Sequence, residues 1–364
     1  MMEKKKAFHG SDLELIEKEF GIKKEDIINF AANVNPFGIS PLMKEELAKN
    51  VNVIETYPDR NYTELRKAIG EYCSCNPQYI TVGNGSTELI SLMAQFIHPK
   101  KALIVGPTYS EYGHEIGLSG GDITYFELKE SEDFRLNIES LFTELQSTHY
   151  DMLVICNPNN PTSGIITQDV LSLIMQLCKD FNTFIMIDET YMEFSEHEKF
   201  AIAAPLTERF DNFIVLRGVS KFFASPGLRL GYAITKNEAL LNKIRSEQNP
   251  WSVNSIAAFA GTVMYKDTDY IKRTKEFMHE EQRRIYEIFA KSDKYKAYTA
   301  DANFILLKIL DEKLDAGSLF ELAIRNNFMI RNCDSFPFLS DRYIRFCFMN
   351  REDNDKLISL LLNA

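Results

Sequence analysis

Lys221 follows the apolar run Phe213-Ile214-Val215-Leu216 and opens the stretch Lys221-Phe222-Phe223-Ala224-Ser225-Pro226-Gly227-Leu228-Arg229-Leu230-Gly231. A lysine amine forms a Schiff base with an aldehyde cofactor, and a nearby arginine can hold that cofactor's phosphate. Alone, a lysine and an arginine in one loop read equally well as solvated charge, so the chemistry depends on other segments. Two agree. Asn157-Pro158-Asn159-Asn160-Pro161-Thr162-Ser163-Gly164 follows the short apolar run Met152-Leu153-Val154-Ile155-Cys156, which reads as a buried strand. Its prolines and glycine stop strand or helix, so the chain turns sharply there, and the Asn160 amide can meet a ring hydroxyl. Phe184-Ile185-Met186-Ile187-Asp188 is a second apolar strand, and it ends in a carboxylate that can keep a pyridine nitrogen protonated. An amide, an acid and a lysine thus close successive strands.

Those groups need a frame that holds strand ends side by side. From about Tyr79 to Thr235 apolar strand runs alternate with helical periods, among them Lys101-Ala102-Leu103-Ile104-Val105, a helix over 167–180 and the strand 212–216. That alternation predicts a mostly parallel sheet with helices on both faces and a site beyond the strand ends. Between the strand 79–82 and the helical run 89–93, Gly83-Asn84-Gly85-Ser86-Thr87-Glu88 places backbone N–H groups and two hydroxyls at a helix N-terminus, a ready anion site. The long period over 269–291 predicts a connecting helix. The strand 303–307, a helix over 319–325 and a strand around Arg345 predict a small α+β unit. Arg345 alternates with apolar neighbours there as an edge or half-buried strand residue would.

The order Asn-Pro-x-Asn-Pro-Thr, then Asp-x-x-Tyr, then Ser-Lys with Gly-Leu-Arg-Leu-Gly resembles the fold-type-I pyridoxal-phosphate enzymes, the class I/II aminotransferases. Within them the likeness is to the branch of histidinol-phosphate aminotransferase and threonine-phosphate decarboxylase, and it runs from about His9 to the C-terminal helix. The resemblance implies an α/β fold with a mostly parallel, seven-stranded-type sheet in a large domain (45–260). A smaller α+β domain would comprise 1–44 and 261–364. It implies pyridoxal 5'-phosphate as cofactor, carried on Lys221, with Asp188 at the pyridine nitrogen and Asn160 and Tyr191 at the ring oxygen. Gly85, Ser86, Thr87, Ser220 and Arg229 would form the phosphate cup, and Tyr109 would stack on the ring. Tyr57 would reach across a homodimer interface to the partner's phosphate, so that active sites are shared. Arg345 would bind the substrate carboxylate with help from Asn35. His9 and Arg331 would add cations for a substrate phosphate, Arg331 reading alternatively as a surface ion pair.

The activity so implied is an aminotransferase acting on a small α-amino acid, phosphorylated or phosphonylated, with a keto acid as partner substrate. Decarboxylation of an O-phosphoamino acid at the same site is the alternative. His9-Gly10 and Pro250-Trp251-Ser252-Val253-Asn254 resemble the decarboxylases, but Ser11 replaces their second glycine. Met349 stands where they carry a further arginine, which tips the reading toward transamination.

Bulk properties agree with a globular enzyme. The 364 residues carry a formal net charge of −11, which argues against nucleic acid as partner. Lys4-Lys5-Lys6 reads as a solvated terminus. No apolar run approaches the roughly 18 residues of a membrane span and no signal-type segment opens the chain, so no membrane partner and a cytoplasmic location are expected. The six cysteines lack zinc spacing and the six histidines form no ligand cluster, so reduced thiols and no metal are expected.

Overall fold

The computed structural model describes residues 8–364; Lys4, Lys5 and Lys6 lie outside the described residues. The strands are β1 (Ile28–Asn29), β2 (Ile80–Gly83), β3 (Lys101–Gly106), β4 (Asp122–Glu127), β5 (Met152–Cys156), β6 (Phe184–Asp188) and β7 (Phe213–Gly218). They continue as β8 (Gly231–Ile234), β9 (Tyr295–Ala297), β10 (Phe304–Ile309), β11 (Phe328–Met329), β12 (Arg331–Asn332) and β13 (Tyr343–Cys347). Seven form the large sheet in the order β2-β8-β7-β6-β5-β3-β4. Its pairs are parallel except those of β8, which runs antiparallel to both β7 and β2.

The central strands are continuous apolar runs because both faces are covered. Their two-residue period divides them between two cores. Leu153, Ile155, Ile185, Ile187, Phe213 and Val215 enter one, and Met152, Val154, Met186, Ile214 and Leu216 enter the other. The helix Gly85–Ile97 closes the second face through Leu89, Ile90, Met93 and Ala94. Among the described residues no helix is long and apolar enough to cross a membrane.

The helix Thr268–Phe289, N-capped by Asp267, leads to an antiparallel sheet of order β12-β13-β10-β9. β13 is interior to that sheet and all five of its residues are buried. The expected edge or half-buried position of Arg345 is therefore corrected. The run Tyr343-Ile344-Arg345-Phe346-Cys347 is apolar on both faces except for the arginine, as a central strand requires. The N-terminal segment is tied to this part of the molecule by parallel pairing of β1 with β11 and by Phe8, whose ring stacks on Phe320 at 5.4 Å.

Candidate active site

The sheet's connectivity explains why loop residues far apart in sequence meet. β5 and β6 are parallel neighbours, so the Asn157–Gly164 turn and Asp188 emerge at the same edge. β7 ends beside them and returns antiparallel as β8, so the intervening loop, with Ser220, Lys221 and Arg229, is folded back over that edge. Gly218 and Gly83 both stand opposite Gly231. A Cβ on Gly231 would overlap Ser86 N and the Gly85 carbonyl carbon at 2.5 and 2.6 Å, so this glycine is what lets the helix start press against the sheet. Gly85 has φ +82°, and its missing side chain leaves the space taken by the Arg229 guanidinium.

Around the resulting cavity of about 350 Å³ stand His9, Ser86, Thr87, Tyr109, Asn160 and Asp188. Tyr191, Ser220, Lys221, Arg229 and Arg345 complete the sequence-derived set within it. At one end Ser86, Thr87, Ser220 and Arg229 surround the open first turn of the Gly85–Ile97 helix, whose N–H groups have no intrahelical partners. Asp188 is 4% exposed and accepts a hydrogen bond from the Tyr112 hydroxyl at 2.7 Å and another from the Thr190 N–H at 2.9 Å. Burial pushes its carboxyl upward, against those two bonds and the Lys221 charge. A cation on a bound ring nitrogen would pull it back toward the ionised form. The Lys221 amine donates to the Ala32 carbonyl at 2.7 Å. Burial, then the Arg345 and Arg229 charges, lower it to about 8.

Tyr191 is buried with its hydroxyl 3.3 Å from Asn33 Nδ2 and its ring edge-on to Phe304. Tyr109 lies edge-on to Tyr112 at 5.6 Å. Arg345 donates to Asn160 Oδ1 and, at 2.7 Å, to the Ala31 carbonyl, while its Nε has no partner. His9 sits at the rim, 2.9 Å from Ser11 Oγ, and partial burial followed by the Arg331, Lys221 and Arg345 cations holds it below the ordinary histidine range. The arrangement fits pyridoxal phosphate part by part: an anion cup, a carboxylate for a ring nitrogen, an amine for an aldehyde, and an aromatic lid.

Three expected residues lie elsewhere. Asn35 does not line the cavity; its amide faces Phe222 O at 2.8 Å, the Tyr270 hydroxyl at 2.9 Å and Thr274 Oγ1 at 3.1 Å. Its N–H donates to the Lys221 carbonyl at 3.0 Å, so it braces the lysine loop from behind instead of meeting substrate. Asn33, two residues earlier and with φ 56°, takes the place in the cavity. Arg331 lies just outside the lining, donating to the Phe8 carbonyl and, at 2.8 Å, to Ser335 Oγ. Tyr57 is 79% exposed and packs on Trp251 at 4.8 Å.

Sequence reasoning passed over Asn33, Tyr112 and the Ala32 carbonyl. Tyr112 was signalled by its three-residue spacing from Tyr109, whereas a backbone carbonyl has no sequence signal. It also passed over Glu111, His114 and Glu115, which place ligand atoms within 4.8 Å of one another on a partly exposed helix turn. The six cysteines are free.

The chain matches the family model for aminotransferase class I and II over residues 25–361. It is 33% identical over 359 residues to the threonine-phosphate decarboxylase of Salmonella typhimurium strain LT2, covering 98% of this chain and 96% of that protein. A histidinol-phosphate aminotransferase of Clostridium novyi is 31% identical over 340 residues, 92% of this chain and 90% of that one. Among solved structures, the histidinol-phosphate aminotransferase of Clostridium acetobutylicum superposes with a TM-score of 0.84 at 29% identity, over 91% of this chain and 97% of that chain.

Proposed function

The chain belongs to the class I and II aminotransferase family of pyridoxal-phosphate enzymes, and from that premise we propose that it decarboxylates a small O-phosphorylated α-amino acid. The observation that carries the phosphorylated substrate is a pair of guanidiniums without acids. Arg345 and Arg331 donate only to carbonyl, amide and hydroxyl oxygens, and among the described residues no carboxylate lies within ion-pair distance of either. Buried guanidinium charge asks for an anionic partner. An ordinary amino acid brings one carboxylate, enough for Arg345; Arg331, just outside the cavity wall, and His9 on its rim make a second positive region that suits a phosphate reaching to that rim.

Carboxyl loss is favoured over amino transfer by the likeness to the Salmonella decarboxylase along 98% of the chain. Met349 stands where the decarboxylases carry a further arginine. That residue is not among those around the cavity; its N–H is held by Asn354 Oδ1 at 2.8 Å and its sulfur lies 3.9 Å from Cys347 Sγ.

Bound pyridoxal phosphate supplies an electron sink for the bond broken at the substrate's Cα. Lys221 is the amine that would carry the cofactor, and with its value near 8 it can give or take the proton at Cα. Asp188, fixed by Tyr112 and Thr190, supplies the counter-charge at the ring nitrogen. Arg345 orients the substrate carboxylate, and the orientation of the Cα bonds selects which one breaks. Amino transfer to a keto acid is the second reading, supported by the likeness to the Clostridium aminotransferases. In either reading a second subunit is expected to cover exposed Tyr57 and complete the site as a homodimer.

The deciding experiment mixes holoenzyme with O-phospho-L-threonine, O-phospho-L-serine or phosphonoalanine in the absence of keto acid. Cofactor absorbance and carbon dioxide are followed together. Sustained carbon dioxide release with the cofactor band retained is the expected result. Stoichiometric loss of the band without carbon dioxide, reversed by a keto acid, would establish amino transfer instead.

A further inference from the structure

Behind the catalytic strand ends lies buried charge that the chemistry above does not use. Glu189 follows Asp188 and is fully buried. Its Oε1 accepts from the Ala203 N–H at 2.7 Å, and its Oε2 accepts from Arg217 Nε at 2.9 Å and from an Arg217 terminal nitrogen at 2.7 Å. Arg217 is 3% exposed and belongs to β7, one strand over, a few residues before Lys221. Its other terminal nitrogen stands 3.7 Å from Glu193. Glu193 comes from the 3-10 turn Met192–Phe194 that follows Tyr191; it is 1% exposed, and its Oε2 has no partner. The backbone joins the same two places, the Glu189 N–H donating to the Leu216 carbonyl at 2.8 Å.

A buried pair of this kind adds little net stability, because desolvation of both ions offsets their attraction. Two Arg217 N–H groups converge on Oε2 while the Ala203 N–H holds Oε1, so both ends of the carboxylate are fixed and the planar guanidinium is restricted in angle. Here one partner adjoins Asp188 and the other adjoins the Lys221 loop. Burial raises Glu193 to about 7, against the pull of the Arg217 charge, with the Glu198 carboxylate adding to the rise.

We propose that Arg217 and Glu189 are positioning residues, whose fork sets the separation and angle between the strand end bearing Asp188 and Tyr191 and the loop bearing Lys221. The inference rests on the assignment of Lys221 and Asp188 to the cofactor and holds for either reaction type. Neither residue is among those around the cavity, so both would act through their neighbours. Replacing both ions by apolar side chains of similar volume leaves the Ala203 N–H and Glu193 without these partners, so a lowered melting temperature is expected together with misalignment of the amine and the acid.

The test compares holoenzyme with the double variant Arg217→Met/Glu189→Leu and with Arg217→Lys, which keeps the charge and loses the fork. The readouts are the melting temperature, the pH midpoint at which the visible band of the Lys221-bound cofactor interconverts, and the visible circular dichroism of that band. The expected result is a double variant that still folds and takes up pyridoxal phosphate, with a midpoint displaced by about half a unit or more and reduced dichroism. Parent-like midpoint and dichroism in the double variant overturn the proposal, leaving the pair as packing. Should the double variant fail to fold, Arg217→Lys decides by the same two spectroscopic readouts. A Lys221→Ala protein that retains the band sinks the Lys221 assignment and this inference together. Unchanged Arg217 variants with an intact dependence on Lys221 sink this inference alone.

Discussion

In its proposed role Lys221 would serve chemistry against stability. Its amine is held near 8 because burial and two arginines oppose its charge. As pH falls through about 10.5, the unfolded chain takes up this proton before the folded one does; the lysine therefore opposes folding, with full effect below about 8 and none well above 10.5. Lys221→Met should accordingly raise the thermal stability of the apo chain at neutral pH, by something on the order of 2 kcal/mol, while abolishing cofactor attachment. Calorimetry and absorbance on the same samples check both halves. The free amine is the reactive form, so the rate of pyridoxal phosphate attachment to the apo chain should rise with pH to a midpoint near 8. A midpoint in the ordinary lysine range would contradict the environment described. At Asp188, replacement by Asn removes the counter-charge and should lower turnover by about a hundredfold or more. Tyr112→Phe removes one hydrogen bond to that carboxylate and should cost about tenfold, measured as kcat under saturating cofactor.

The element proposed to hold the phosphate is the junction of β2, β8 and the helix Gly85–Ile97. Its close approach depends on missing side chains. Gly85 combines a left-handed φ of +82° with contact to Arg229, so Gly85→Ala brings both strain and a displaced arginine. Cofactor affinity should fall by about tenfold or more, and stability by about 1–2 kcal/mol, read from fluorescence titration and urea unfolding. Gly231→Ala, which would drive a Cβ into Ser86 N, should do the same through the sheet side. Near-native cofactor affinity in both variants would show that the phosphate is held elsewhere. The Asn35 amide belongs to this scale as well. It braces Phe222, Tyr270 and the Lys221 loop, so Asn35→Ala should lower the melting temperature as well as turnover.

At the scale of the molecule, Val51, Ile54, Tyr57 and Trp251 are exposed apolar residues, and the Tyr57 and Trp251 rings pack on each other. If a second copy covers them and Tyr57 completes the partner's site, then Lys221→Ala and Tyr57→Ala subunits are each defective alone. Mixed and reassociated, they should regain activity, because one site of the hybrid holds an intact Lys221 and an intact Tyr57. Sedimentation of an active monomer, or absence of complementation in verified hybrids, contradicts the shared site.

Much of this protein was determined by local chemistry in the sequence. The strand-end motifs ending in Asn160, Asp188 and Lys221 are legible because apolar runs with two-residue alternation declare buried strands, and Pro, Gly and Asn declare where they stop. The cofactor and the parallel sheet follow from that order, and so does the helix N-terminus at Gly85. What only the tertiary structure decided are pairings between segments remote in sequence. Arg345 became a central-strand residue because β10 and β12 flank it on both sides. Asn33, and not the expected Asn35, stands at the cavity because Tyr270 and Thr274, on a helix more than two hundred residues away, claim the Asn35 amide. Arg217 and Glu189 became a fork because β6 and β7 are neighbours in register. Local pattern reports whether a residue is buried and where an element ends. Which partner waits across the gap is settled only when the elements pack.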